Sequence, residues 1–160
     1  MKKTNAIRIL ETEKISFTAK EYDDNTDHEL KKGAASLTAQ KLNIDPKTVF
    51  KTIVMRTDSK EICVFLQNAQ NEINLKKARN AVGAKEIAPI KPEELLSVTG
   101  YIRGGCSPIG MKKKFRTFFD SSILECKTVH ISAGVRGLQL EIAPEDLIKV
   151  CSAQVLDLKL

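Results

Sequence analysis

The 160-residue chain contains no tryptophan, two tyrosines and six phenylalanines. So few rings argue against an aromatic ladder of the kind that stacks single-stranded bases. Histidine is equally scarce. His28 and His130 stand alone, neither in a metal-ligand spacing, and Cys63, Cys106, Cys126 and Cys151 form no Cys-x-x-Cys pair. A zinc centre would have to be gathered from scattered residues, so neither a metal nor a cofactor is expected. Two histidines leave little material for a Ser–His–acid triad, and no Gly-x-Ser-x-Gly elbow, Walker A loop or dinucleotide fingerprint is present. No apolar run reaches membrane-span length, and no hydrophobic stretch follows the basic start Met1-Lys2-Lys3. The expectation is a cytoplasmic protein with reduced thiols and no membrane partner. Repeats, low-complexity tracts and Pro/Ser-rich linkers are also missing, so residues 1–160 read as one domain, long enough to bury a core.

What is present is charge. Lys and Arg outnumber Asp and Glu by 26 to 20, a net charge of +6. The excess is clustered at Lys31-Lys32, at Lys76, Lys77 and Arg79, and at Lys112, Lys113, Lys114 and Arg116. Such clusters suit RNA or another phosphate partner, and equally suit a solvated face. Apolar spacing predicts helices over residues 5–14 and 33–42, and a helix from Asn74 to Gly83 with a cap-forming residue at one end and a stop at the other. A short helix opens at Pro92 and a later one at Pro144. Strands are predicted over 16–22, 48–57, 61–66, 127–131, 137–142 and 155–158. Strands and helices without strict alternation indicate an α+β fold with a mixed, mostly antiparallel sheet.

Two features carry chemical interest. From Gly100 to Gly110 the chain holds four glycines and Pro108, followed at once by Met111 and three lysines. This composition fits a backbone-lined pocket wall beside a cationic run, or an ordinary surface loop. In the strand over 48–57, alternation puts Lys51 on one face with Val49, Ile53 and Met55, and Phe50, Thr52 and Val54 on the other. A lysine among apolar neighbours either reaches an anion or snorkels out at an edge. Ser107 and Ser132 lie in glycine-containing loops without an evident base, and Cys106 reads as a small apolar residue of a packed loop.

Together, Val49-Phe50-Lys51-Thr52, Ile73-Asn74-Leu75-Lys76-Lys77 with Gly83-Ala84-Lys85, the Thr99–Gly110 loop, and Ser132-Ala133-Gly134-Val135-Arg136-Gly137-Leu138 resemble the YbaK/EbsC family of aminoacyl-tRNA deacylases, in family order over roughly residues 20 to 150. The resemblance implies a β-barrel-like sheet flanked by helices, shared with the editing domain of some prolyl-tRNA synthetases. It implies removal of mischarged cysteine from tRNA(Pro), the tRNA acceptor end as ligand, and a transient complex with prolyl-tRNA synthetase. Carried over by position, Lys51 is the catalytic residue. Tyr22, Thr52, Gly104, Gly105, Ser107, Pro108, Ser132, Gly134 and Arg136 are expected at the aminoacyl end, and the charge clusters make Lys76, Lys77, Arg79, Lys112, Lys113, Lys114 and Arg116 the expected contacts to the tRNA backbone. Asp24, Gln139, Cys106 and Met111 depart from the residues common at those places. The alternatives are a water-using deacylase for alanine or another small residue, and an inactive module that binds tRNA or the synthetase.

Overall fold

The computed structural model describes residues 3–23 and 34–160; Asp24, His28, Lys31, Lys32 and Gly33 lie outside the described residues. In chain order the elements are helix α1 (Asn5–Thr12), strand β1 (Phe17–Glu21), helix α2 (Ala34–Leu42), strands β2 (Phe50–Thr57) and β3 (Ile62–Asn68), helix α3 (Leu75–Val82), strand β4 (Ile87–Pro89), helix α4 (Leu95–Thr99), strands β5 (Arg116–Asp120), β6 (Val129–Ser132) and β7 (Leu138–Ile142), helix α5 (Pro144–Cys151) and strand β8 (Gln154–Leu156).

The strands form two sheets, one ordered β1-β7-β6 and the other β4-β2-β3-β5-β8. Pairing is antiparallel except where β5 runs parallel to β3 and β8 parallel to β5. The α+β class and the mixed, mostly antiparallel pairing match the sequence expectation. The barrel is interrupted, however: the sheets meet at one isolated parallel bridge, Val49 to His130.

Alternation along the strands explains the packing. Leu138, Leu140 and Ile142 with Val129, Ile131 and Ala133 give the three-stranded sheet an apolar face, which meets Phe50, Leu66 and Phe119 of the five-stranded sheet. Ala6, Ile7 and Leu10 of α1 and Leu147 of α5 close this core. The other face of the five-stranded sheet carries Met55, Cys63, Phe65 and Phe118, covered by Ala78 of α3 and by Leu158. Helix α3 is held by its ends: the Asn74 carboxamide accepts from the Lys76 and Lys77 N–H groups, and Gly83 closes the helix. Strands β4 and β5 escaped the sequence reading because β4 has three residues and β5 follows directly on the Lys112–Lys114 run.

Candidate active site

Lys51 stands where the two sheets join. It faces Gln67 directly across the β2–β3 hairpin, on the face shared by Ile53, Met55, Cys63 and Phe65. Val49 bridges His130 in parallel, so Lys51 and Ser132, each two residues further on, follow on one face. Ser132 pairs with Gln139, and Gln139 pairs with Lys20. Two short polar rows therefore flank that bridge, Lys20, Gln139 and Ser132 in one sheet and Lys51 and Gln67 in the other. Tyr22, two residues beyond Lys20, continues the ladder with its N–H on the Gly137 carbonyl at 3.0 Å.

The glycine loop is clamped to the tip of the β6–β7 hairpin, just past Ser132. Residues 102–105 make a tight turn in which the Gly105 N–H reaches the Ile102 carbonyl at 3.0 Å and Gly104 takes φ +85°. Gly105 lies against backbone: a Cβ there would be 3.0 Å from Arg136 N and from Val135 C and Cα. Arg136 Nε donates to the Arg103 carbonyl at 3.0 Å, strapping hairpin tip to loop. The Tyr101 ring lies beneath Gly134, and its hydroxyl donates to the Ile109 carbonyl. From the other side Thr4 Oγ1 donates to the Ala133 carbonyl, and Asn5 Nδ2 to the Gly110 carbonyl at 2.8 Å. The first turn of α1 therefore fixes hairpin and loop together.

The structure refines several expectations. Ser107 is fully buried, and its Oγ accepts from the Ile109 N–H, so it braces the loop. Pro108 is buried too, its carbonyl accepting from the Cys151 thiol. Thr52 projects from the face of β2 opposite to Lys51. The Gly105 N–H is committed to the turn, which leaves Gly104, on the exposed shoulder, to offer a backbone donor. The Ser132 Oγ accepts from the Gly134 N–H at 3.2 Å and keeps its own proton available. Burial pushes the Cys106 thiol up to about 12, so it is a neutral, packed group and no nucleophile.

The basic residues do not form one stripe. Lys112, Lys113 and Lys114 are exposed along a cleft of about 270 Å³ shared with Val64 and Thr117, on the sheet face opposite to Lys51. Arg116 belongs to the other face. Its guanidinium is bidentate on Glu61 at 2.8 Å for both contacts, donates to the Val82 carbonyl and stacks over Phe118. Lys77 is held by Asp157 at 2.7 Å and by the Lys159 carbonyl. Lys76 is exposed beside it, and Arg79 lines an open cleft of about 510 Å³ with Arg56, Glu86 and Glu94.

Sequence reasoning missed the support behind Ser132. The Lys20 ammonium reaches His130 Nε2 at 3.0 Å and Glu141 at 3.1 Å. Because an ammonium only donates, Nε2 accepts and Nδ1 carries the proton, which goes to Thr48 Oγ1 at 2.9 Å and relays to the Asp45 carbonyl. Burial, and then Lys20, push His130 below the ordinary imidazole value. Glu141 is held below the usual carboxylate range, first by the Thr128 hydroxyl and then by Lys20. Both imidazole nitrogens are engaged, so His130 is a brace and no free base. Alternation hinted at this, since Lys20, His130 and Glu141 interrupt strands that are otherwise apolar on one face only. Among the described residues no group of three or more His, Cys, Asp or Glu is placed to hold a metal ion, and no helix is long and apolar enough to cross a membrane.

Comparison with known proteins agrees with this architecture. A proposed Cys-tRNA(Pro)/Cys-tRNA(Cys) deacylase of Enterococcus faecalis, EbsC, is 36% identical over 95% of this chain and 90% of its own. A proline–tRNA ligase of Brachyspira hyodysenteriae is 40% identical over 81 residues, 51% of this chain but 14% of the larger enzyme. A solved structure described as a proposed trans-editing enzyme for prolyl-tRNA synthetase superposes with a TM-score of 0.83, covering 98% of this chain and 95% of that one at 24% identity, a likeness of fold. The family model of the aminoacyl-tRNA editing domain matches residues 28–150, and the chain belongs to that family.

Proposed function

We propose that this protein is an editing deacylase that releases mischarged cysteine from tRNA(Pro). The observation that carries the reading is the junction of the two sheets, where the Val49–His130 bridge brings together the strands that carry Lys51 and Ser132 and a glycine loop is locked to the hairpin just past Ser132, a site with a cation and backbone donors. Cys106 is half-buried with its thiol held neutral, and His130 has both nitrogens engaged, so the reading assigns the nucleophile to the substrate.

The substrate cysteine's thiolate attacks its own ester carbonyl. A C–S bond forms, the C–O bond to the terminal ribose breaks, and the tRNA hydroxyl takes up a proton as a four-membered cyclic thioester leaves. Attack within one bound molecule draws on effective molarities of about 10⁵–10⁸ M, part of which the strained ring consumes. Lys51 acts as the nearby cation that favours thiolate or anchors the ribose-phosphate end. The Gly104 N–H faces the developing oxyanion, a donor whose loss typically costs ~10²-fold or more. Tyr22 and Gly134 border the aminoacyl end. Exposed Lys76 and Lys112–Lys114 meet phosphates, contacts that carry little sequence information. Selection among tRNAs then comes from a partner, a transient complex with prolyl-tRNA synthetase in the cytoplasm.

The test is single-turnover release of radiolabelled cysteine, alanine and serine from tRNA(Pro), for the native protein and Lys51→Ala. Fast release of cysteine alone, abolished by the substitution, is expected. Alanine released as fast as cysteine sinks the thiol mechanism in favour of water-based editing. No release from any charged tRNA leaves a binding module.

A further inference from the structure

We infer that Gln67 is a second substrate-facing donor of this site, a buried carboxamide that joins Lys51 in holding an acceptor oxygen of the ester–ribose–phosphate end of the charged tRNA. The inference rests on the deacylase reading above.

Gln67 is 0% exposed and sits directly across from Lys51, on the same face of the hairpin. Its other neighbours on that face of β3, Phe65 and Cys63, are apolar core. A carboxamide is out of place there unless something uses it. Its orientation is fixed, because Oε1 accepts the Asn68 N–H at 2.8 Å and a flipped amide would set donor against donor. The two N–H bonds of Nε2 are then left inside the protein without a partner. Lys51 cannot supply one, since an ammonium has no acceptor. Asp120 turns to other donors, taking the Leu158 N–H on Oδ1 and the Ser122 N–H and hydroxyl on Oδ2, and makes no bond to Gln67.

Two sets of donors thus stand side by side with no acceptor between them. Buried polar groups are rarely left unpaired, and leaving a donor unmade is costly. The group that completes this pair is an oxygen with negative charge or carbonyl character, which the ester, ribose and phosphate of the ligand all offer. The polar row of the other sheet carries the complementary irregularity, where Gln139 Oε1 is buried without a donor beside Ser132. Lys51 itself is partly exposed, so a ligand oxygen reaches the pair from the lysine side.

The experiment compares native protein with Gln67→Met, a near-isosteric replacement without donors, and with Gln67→Leu and Gln67→Glu. Each is assayed by single-turnover release of cysteine from tRNA(Pro) and by thermal melting. Gln67→Met is expected to release cysteine at least tenfold more slowly while still folding, its melting temperature set by the gain from removing an unpaired donor against the loss of the acceptor that Gln67 Oε1 gives the Asn68 N–H. Gln67→Glu keeps the size but offers Lys51 an acceptor, so release slows and the deficit deepens as the introduced carboxyl ionises. A Gln67→Met protein that works at the native rate overturns the inference. If the native protein itself releases no amino acid, the deacylase reading falls first and this inference with it. An active native protein beside a fully active Gln67→Met protein overturns the role of Gln67 alone.

Discussion

Gly105→Ala tests whether the glycine loop must lie flush against the hairpin tip. Gly105 has no left-handed backbone conformation, so the added methyl acts through steric clash alone. Its Cβ would lie 3.0 Å from three backbone atoms of Val135 and Arg136. Unbonded carbon atoms prefer separations of about 3.5–4.0 Å, so loop and hairpin must part by a few tenths of an ångström. Backbone cannot step aside as a side-chain tip can, and overpacking of this kind costs about 1–3 kcal/mol. In a domain of this size that is a melting decrease of roughly 2–12 °C. Displacing the loop relative to Ser132 and Lys51 misaligns the reacting atoms, for which about 10–100-fold in single-turnover deacylation is expected. The control is Gly83→Ala: its φ of +78° strains any side chain, but a Cβ there meets nothing within 4 Å. It should lose about 1–2 kcal/mol of stability and no activity. A Gly105→Ala protein with native melting and native rate would refute the argument that this close approach sets the site.

Three further outcomes are expected. Replacing Lys112, Lys113 and Lys114 together by Ala should weaken tRNA binding and flatten its salt dependence by roughly 0.7–0.9 in log–log slope for each phosphate no longer neutralised, whereas Arg116→Ala should leave the slope nearly unchanged because Glu61 already holds that guanidinium; binding titrations at several salt concentrations decide it, and equal effects would contradict the division of the two faces. Cys106→Ala should keep its deacylase rate, and Cys106 should resist iodoacetamide at pH 8 in the folded protein, its thiol standing at about 12; rapid alkylation of that residue, read by mass spectrometry, counts against its burial. His130 has a folded value below its unfolded 6.5, so the unfolded chain binds the proton first as pH falls; its contribution is intact above about 6.5 and is lost as pH drops from there toward the folded value, so melting temperature should decline over that window and His130→Gln should flatten the decline.

Much of the fold was legible because its cues are local. Asn74 and Gly83 mark the ends of α3 by their own cap chemistry, and the alternation of β2 put Lys51 with Ile53 and Met55 before any pairing was known. What the strand alone could not say is which partner lies opposite. The apolar run of β3 ends visibly at Leu66, yet the ladder continues through Gln67 to Asn68, because Asn68 pairs with Phe50 and its side chain caps the turn beyond at the Gln70 N–H. Gln67 was therefore invisible as a neighbour of Lys51. The basic clusters divide for a related reason. Lys112–Lys114 and Arg116 are contiguous in sequence, but entry into β5 sends them to opposite faces of a sheet. Tertiary partners, absent from any local pattern, decide which charges face a ligand and which are consumed by Glu61 or Asp157.

The arrangement of these partners bears on how such a site can be selective. A pocket that sorts amino acids by size gains only about 1–3 kcal/mol per methylene, too little to separate cysteine from serine or alanine cleanly. The residues around Lys51 are not built as a size filter. Ser132 and Gly134 are small, the hairpin tip is held by backbone contacts, and two buried carboxamides wait with one unpaired atom each. Those atoms can only recognise groups common to every charged tRNA or to the shared backbone of its amino acid. With the substrate thiol as the proposed nucleophile, discrimination comes from the reaction, since alanine has no side-chain nucleophile and the serine hydroxyl is far less ionised and less nucleophilic than a thiol. Rigid placement of the ester, secured by Thr4, Tyr101 and Arg136 through their bonds to the loop and the hairpin, is what such a reaction requires of the protein. Loosening any of those three straps should lower the rate for cysteine without opening the site to alanine. That pattern separates chemical selection from a size sieve, because a sieve that loosens becomes permissive.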